Sequence, residues 1–226
     1  MGAIIKKELK NYFLSPIGYV FIGLFLIMFS IFFYVDVFNY QSTNFEYIFY
    51  SGATILTFIV PILTMRTFAE ERKTGTEQLL LTAPISITKI VLGKFFAATL
   101  IIVVTEICTF MYYIILCIFG NPQIITALVT LLGFLLLGMS YISFGILASS
   151  ITENQIIAGI VTTGFFILSW FLPQFDNIFT NVSLMNLYSK FPTGQIDIAD
   201  TITFISFIIM CLLLTIIFIQ RRKMVK

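Results

Sequence analysis

Eleven carboxylates and thirteen Lys or Arg are the charged side chains that could do chemistry in this sequence, with three Cys beside them and no His. Without imidazole, Ser-His-Asp and Cys-His nucleophiles, His-bearing zinc sites and haem ligation by His all fall away. No Gly-x-Ser-x-Gly elbow is present. A phosphate-binding P-loop is missing too: Gly93-Lys94 is followed by Phe95, and Thr88 stands where that loop needs Gly. No cluster of metal ligands can be built from the apolar segments. The chain is therefore expected to be no enzyme and to bind no metal. Any ATP it uses must be hydrolysed by another chain. A net charge of +2 is too small to suggest nucleic acid as a partner.

One carboxylate stands apart. Glu106 lies in the middle of a long apolar run, where a charge costs about 3 kcal/mol on the insertion scale. Thirteen Leu, Ile, Val or Phe residues between 94 and 118 offset it at very roughly 0.4 kcal/mol each. Thr99, Thr109 and Tyr113 lie seven before, three after and seven after Glu106, and form a polar stripe expected to face other helices. Two readings stand for the stripe: a pathway or coupling group, or a protonated carboxyl hydrogen-bonded between helices.

The elements that position these groups follow from composition. Hydrophobic residues make up 59% of the 226 and charged ones 11%, against roughly 25% charged in a soluble domain. Uncharged gaps of 19 to 46 residues separate the charges, and one membrane span needs about 20 apolar residues. The longest gap is broken by Gly120-Asn121-Pro122-Gln123. Six spans result, at about 16–36, 48–67, 94–118, 124–149, 155–173 and 201–220. The fold class is an all-α membrane protein, read as one domain over 1–226. Pro61 is expected to kink span two. Gly138, Tyr141, Gly145 and Ser149 form a small-residue stripe on span four, suited to close packing within the bundle or between two copies. Cys108, Cys117 and Cys211 fall inside spans and read as small packing residues.

Orientation follows from the bases. Lys6, Lys7 and Lys10, then Arg66, Arg72, Lys73, Lys89 and Lys94, then Arg221, Arg222, Lys223 and Lys226 all fall on one side, leaving Lys190 alone on the other. The positive-inside rule puts that side, with both termini, in the cytoplasm.

Three segments outside the spans carry information. In the N-terminal stretch Ile5, Leu9, Tyr12 and Phe13 share a helical face that Lys6, Lys7 and Lys10 avoid, which predicts an amphipathic helix lying on the membrane before Pro16, in preference to a basic flank that only fixes topology. Between spans two and three the chain reads RTFAEERKTGTEQLLLTAPISITKIVLGK. Span two is expected to continue as a charged helix with Arg66 paired to Glu70 one turn on, and to stop at Gly75. Thr74-Gly75-Thr76-Glu77 has capping-box spacing for a new helix bearing Leu79, Leu80 and Leu81, ended by Ala83-Pro84. Ser86 can cap the next one. Exposed leucines there need a membrane or a protein partner, unless the helix lies flat against its own bundle. The third segment, 174–200, is long for a loop, and two faces, Ile178/Val182/Met185 and Leu184/Leu187/Tyr188/Phe191, predict one or two short helices dipping into the outer half of the membrane, the alternative being a cap lying on the outer surface.

The run from Pro61 to Phe95, PILTMRTFAEERKTGTEQLLLTAPISITKIVLGKF, resembles the signature region of ABC-2 type transporter permeases, closest to the branch with the gliding-motility-associated permeases. The matching positions are Pro61, Met65, Arg66, Glu70, Glu71, Arg72, Gly75, Thr76, Glu77, Leu79, Leu80, Pro84, Gly93 and Lys94. The stretch NLYSKFPTGQIDIADTITFIS also resembles the family before its last span, with Thr193 where a basic residue is usual. The resemblance implies a permease subunit of an ATP-driven exporter in a prokaryotic cell membrane, moving a hydrophobic or amphipathic substrate. It implies a second permease copy or paralogue, membrane lipid around the pair, and separate ABC ATPase subunits that hold the ATP and Mg. It makes 76–83 a coupling helix seated in the ATPase. Glu70, Glu71, Arg72 and Lys73 would orient it, and Gly75, Thr76, Glu77, Leu79, Leu80, Leu81 and Pro84 would shape it. The N-terminal helix would be the family's interface helix and 176–193 its outer re-entrant pair. A secondary transporter or channel, an intramembrane enzyme and a non-transporting scaffold are the competing readings.

Overall fold

The computed structural model describes residues 1–39, 45–78, 85–174 and 183–225. Every regular element among them is helical. Helix α1 (Gly2–Leu14) leads through the extended residue Ser15 into α2 (Pro16–Tyr34), whose first position is a proline that has no N–H to leave unpaired. Then come α3 (Phe45–Thr64), the five-residue α4 (Ala69–Lys73), α5 (Ile87–Phe119), α6 (Ile124–Ile151) and α7 (Gln155–Phe171). A short α8 (Leu184–Tyr188) and α9 (Ile198–Val225) complete the chain.

Among the described residues six stretches are long and apolar enough to cross a membrane: Pro16–Val37, Phe45–Lys73, Ile87–Ile118, Ile124–Ile151, Gln155–Gln174 and Ile198–Lys223. These are the six spans read from the charge gaps. The second and third run further at their charged ends than the gaps indicate, the third as continuous helix from Ile87 and the second through a turn at 65–68 into α4.

Helix α6 sits at the centre and packs against α3, α5, α7, α8 and α9. A helix surrounded on most sides needs small residues where backbones meet. A Cβ on Gly138 would lie 2.6 Å from Ile102 Cδ1, one on Gly133 would overlap the Phe191 ring, and one on Gly145 would overlap Thr64. Tyr141 is fully buried and stacks on Phe166 with ring centroids 3.8 Å apart. The stripe on span four is thus used inside this chain. Phe21, Phe25, Phe29 and Phe33, four residues apart, form the buried face of α2. Phe25 and Phe29 meet Phe134 and Phe49 at 5.6 and 4.9 Å, so bulky rings fill the space that the glycines leave elsewhere.

Span two departs from expectation. Its helix passes through Pro61 and ends at Thr64; a turn at 65–68 follows before α4. The continuous charged helix is therefore divided, and the Arg66–Glu70 ion pair is not formed. The one-turn backbone bond between them is kept, Glu70 N donating to Arg66 O at 3.3 Å, and it is their two exposed side chains that do not meet. The break is closed by a neighbour. Ser149 Oγ accepts from Phe68 N and Ala69 N, both at 3.0 Å, and donates to Met65 O at 3.0 Å. Buried backbone freed by a helix break needs such a partner. Ser149→Ala should cost about 1–3 kcal/mol and speed amide exchange at residues 68 and 69, as read by hydrogen–deuterium exchange. Unchanged exchange there would show that the hydroxyl is dispensable.

Two capping expectations also change. Thr74 does not open the next helix: its hydroxyl donates back to Glu70 O at 2.9 Å, closing α4. Gly75 does stop that helix, at φ 74°, the left-handed position that favours glycine. Helix resumes over 76–78. Ser86 stands at the N-cap of α5 without a side-chain bond. The leucine face at 79–81 and Pro84 lie outside the described residues.

In the segment before the last span, Leu184, Met185, Leu187, Tyr188 and Phe191 are all buried. Ile178 and Val182 lie outside the described residues. Ser183 caps α8 through Asn186 N at 3.4 Å, and Gly194 turns the chain at φ 77°. Lys190 pairs with Asp200 at 2.8 Å and Asp197 at 3.4 Å, and the Asp200 carboxylate above all holds its ammonium above the ordinary lysine range.

Candidate functional site

The charged end of the bundle, where α1, α4 and the end of α9 meet, contains two ion-pair networks. They diverge from adjacent residues of α4, Glu71 and Arg72.

The first network is buried. Lys94 on α5 is 2% exposed, and its Nζ lies 2.9 Å from Glu71 Oε1 and 3.2 Å from Glu8 Oε1. It also donates to Thr67 O at 2.8 Å and sits 4.9 Å from the centroid of the Phe68 ring. Lys7 adds a weaker contact to Glu71 at 3.4 Å from the solvent side. A buried ammonium needs this density of partners, because desolvation of each ion costs several kcal/mol. The network joins α1, α4 and α5. Burial, and after it the Glu8 carboxylate, push the neighbouring Tyr12 phenol far above its ordinary range, so it stays protonated.

The second network lies on the other side of α4. Arg72 Nη2 donates to Glu153 Oε1 at 2.8 Å and Nη1 to Ile151 O at 3.0 Å. Arg222 from α9 donates to Ser150 O and Ile151 O. Two guanidiniums therefore occupy the C-terminus of α6, where free carbonyls and the helix dipole favour positive charge. Glu77 sits between them, with Oε2 3.7 Å from Arg72 and Oε1 3.6 Å from Arg222.

Of the residues expected to serve a partner, Glu71, Arg72 and Glu77 are thus engaged within the chain. Glu70, Lys73, Gly75 and Thr76 are exposed. Leu79, Leu80, Leu81 and Pro84 lie outside the described residues. A cavity of about 610 Å³ opens beside α4, and Leu14, Ile17, Leu63, Arg66, Glu70 and Lys94 are among the residues that line it.

The networks involve residues that sequence patterns did not single out as a site: Glu8, Glu153 and Arg222. Glu8 had a signal. Ile4, Glu8 and Tyr12 are four apart and form the buried face of α1, while Ile5, Leu9 and Phe13 are half-buried beside it. An acid on the inward stripe of a helix implies a buried cation opposite it. Nothing in the sequence pairs Arg222 with Glu77 across 145 positions.

The intramembrane candidates are not brought together as a pathway. Thr99 donates to Phe95 O at 2.9 Å, Thr109 to Glu106 O at 2.8 Å and Tyr113 to Pro122 O at 3.1 Å. Each hydroxyl satisfies backbone, and none bonds the Glu106 carboxyl. Glu106 Oε1 is buried and has no hydrogen-bond partner. Glu106→Leu should therefore raise stability, by about 1–3 kcal/mol, in mixed-micelle unfolding. A loss of stability would show that the carboxyl is held by a group across the bundle.

Comparison with curated proteins gives no match. A profile of the family described as ABC-2 family transporter protein matches residues 2–222. That match spans all six apolar helices and both ion-pair networks, and the chain belongs to the ABC-2 transporter family: it is a multi-pass membrane permease of an ABC transporter, a class that works with an ABC ATPase.

Proposed function

We propose that this chain is the permease subunit of an exporter for a hydrophobic or amphipathic substrate, paired with a second permease and driven by separate ATPase subunits that hold ATP and Mg. The carrying observation is the arrangement around α4. Its exposed tip, Lys73 to Thr76, is free for a partner, while Glu71 and Arg72 tie its base to α1, α5, α6 and, through Glu77, α9. A short rigid lever with an open tip and an anchored base suits transmission of movement from a subunit docked at that end.

In this reading the segment 76–83 seats in the ATPase through Leu79, Leu80 and Leu81, and Glu70 and Lys73 orient it. ATP binding closes the ATPase dimer, α4 moves with it, and the bundle shifts between inward- and outward-open populations. The charged end faces the cytoplasm of a prokaryotic cell, since twelve of the thirteen bases lie on that side. Helix α1 lies on the inner leaflet with Lys6 and Lys10 towards headgroups, and the segment around α8 forms the outer re-entrant element. The rival reading, an ion-coupled transporter or channel, needs a polar path. It is disfavoured because the hydroxyls of Thr99, Thr109 and Tyr113 are spent on backbone.

Leu80→Asp tests the reading. The variant should insert and fold like the parent, yet lose most transport per ATP hydrolysed and release the ATPase during purification. Normal transport with a tightly bound ATPase would remove 76–83 from the coupling role.

A further inference from the structure

Glu77 is held in an unusual way. It is 8% exposed, and both of its oxygens face guanidinium nitrogens, but at 3.7 and 3.6 Å. Charge-assisted N–H to carboxylate bonds close at about 2.7–2.9 Å. Glu77 Oε1 and Arg222 Nη1 are buried, and neither has a hydrogen-bond partner. A buried donor and a buried acceptor of opposite charge thus face each other without bonding.

The two arginines are in place. Arg72 is fixed by Ile151 O and Glu153, and Arg222 by Ser150 O and Ile151 O. All of these belong to the end of α6 or the turn after it. The element on which Glu77 sits is tied back to α4: Thr76 Oγ1 lies 3.0 Å from Thr74 Oγ1 and donates to Glu71 O at 3.3 Å, so it moves with the tip of that helix. It begins after Gly75, which is left-handed and has open space around its Cβ position, and Thr76 and Gln78 on either side of Glu77 are exposed. Closing the two gaps by about 0.8 Å would bring Glu77 within bonding distance of both guanidiniums. Movement the other way would leave both cations with carbonyl partners and, for Arg72, Glu153. A docked subunit that shifts 76–78 in one direction or the other would therefore make or break these bonds.

We propose that Glu77, Arg72 and Arg222 form a latch that passes movement of the partner-facing segment to the ends of the fourth and sixth spans, with Arg222 as a positioning residue for coupling. This rests on the coupling role given to 76–83 above and extends it to a specific output: the last span, which touches that segment through Arg222.

The experiment uses the permease–ATPase complex purified from its host and reconstituted in nanodiscs. Spin labels are placed at Ile118→Cys and Ile198→Cys, which are 78% and 74% exposed, after Cys108, Cys117 and Cys211 are replaced by Ala. Label distances are measured without nucleotide and after trapping with ATP and orthovanadate. The parent complex should show a nucleotide-dependent shift. Arg222→Gln should lose most of it with the ATPase still bound, Arg222→Lys should keep part, and Glu77→Gln/Arg222→Gln should be no worse than Arg222→Gln alone. A full shift in Arg222→Gln, or losses that multiply in the double variant, overturns the latch while leaving the coupling segment standing. If Arg222→Gln does not assemble, the isosteric Glu77→Gln decides: a full shift there overturns the latch, and its loss supports it. A parent complex with bound ATPase but no shift overturns the latch and the coupling reading together, and a parent from which no ATPase co-purifies overturns the exporter assignment itself.

Discussion

Replacing Lys94 with Met is expected to destabilise the bundle by about 3–5 kcal/mol, the range for breaking a buried ion pair from one side. Glu8 and Glu71 would remain near each other with no buried cation between them, and Thr67 O would lose its donor. Lys7 offers only partial relief, since it is about half exposed and reaches Glu71 at 3.4 Å. Thermal unfolding in detergent, or the midpoint in mixed micelles, reads the effect. Adding Glu8→Gln to Lys94→Met should recover part of the loss by removing one uncompensated charge. The contrast is Asp197→Asn at the opposite end: the Lys190–Asp197 pair is exposed on both sides, so about 0–1 kcal/mol is expected. Equal losses for Lys94→Met and Asp197→Asn would mean that the buried network does not hold α1 to the spans.

Gly145→Ala should lose about 1–3 kcal/mol, the usual cost of overpacking a filled core, and more if α3 cannot shift. The added methyl would overlap Thr64 Oγ1 and lie 2.7 Å from Thr64 Cβ. Thr64 is fully buried and its hydroxyl donates to Val60 O at 3.1 Å, so a retreat would break that bond. Thr64→Ala should rescue only in part, because Cβ stays. The consequence reaches the candidate site: Ser149, one turn further along α6, holds the break after Thr64 through Phe68 and Ala69. Separation of α3 from α6 should therefore also expose those amides to exchange. A Gly145→Ala chain as stable as the parent would show that α3 and α6 do not meet as closely as described.

Much of the architecture was legible in the residues. Gaps between charges had the length of a bilayer crossing, and Gly120 and Pro122 marked the one place where a long apolar run turns. The charged stretch after Pro61 was specific enough to point to the family that the whole-chain match supports. Gly75 was readable as a stop because a left-handed position favours glycine whatever surrounds it.

Composition and period determine which segments are helices and which of them can lie in lipid, because both are local properties: hydropathy summed over about 20 residues and the backbone preferences of Gly and Pro. Partners are not local. Arg66 and Glu70 keep one-turn spacing, with Glu70 N bonded to Arg66 O, yet their exposed side chains do not pair. Thr74 has the spacing of a cap for the following helix and instead closes the preceding one. Glu71 and Arg72 are neighbours in sequence, yet only the packing of α1, α5, α6 and α9 around α4 sends one to Lys94 and the other to Glu153 and Glu77. The tertiary structure alone decided these pairings, because ion pairs form wherever folding brings desolvated charges together, and distance along the chain does not limit that.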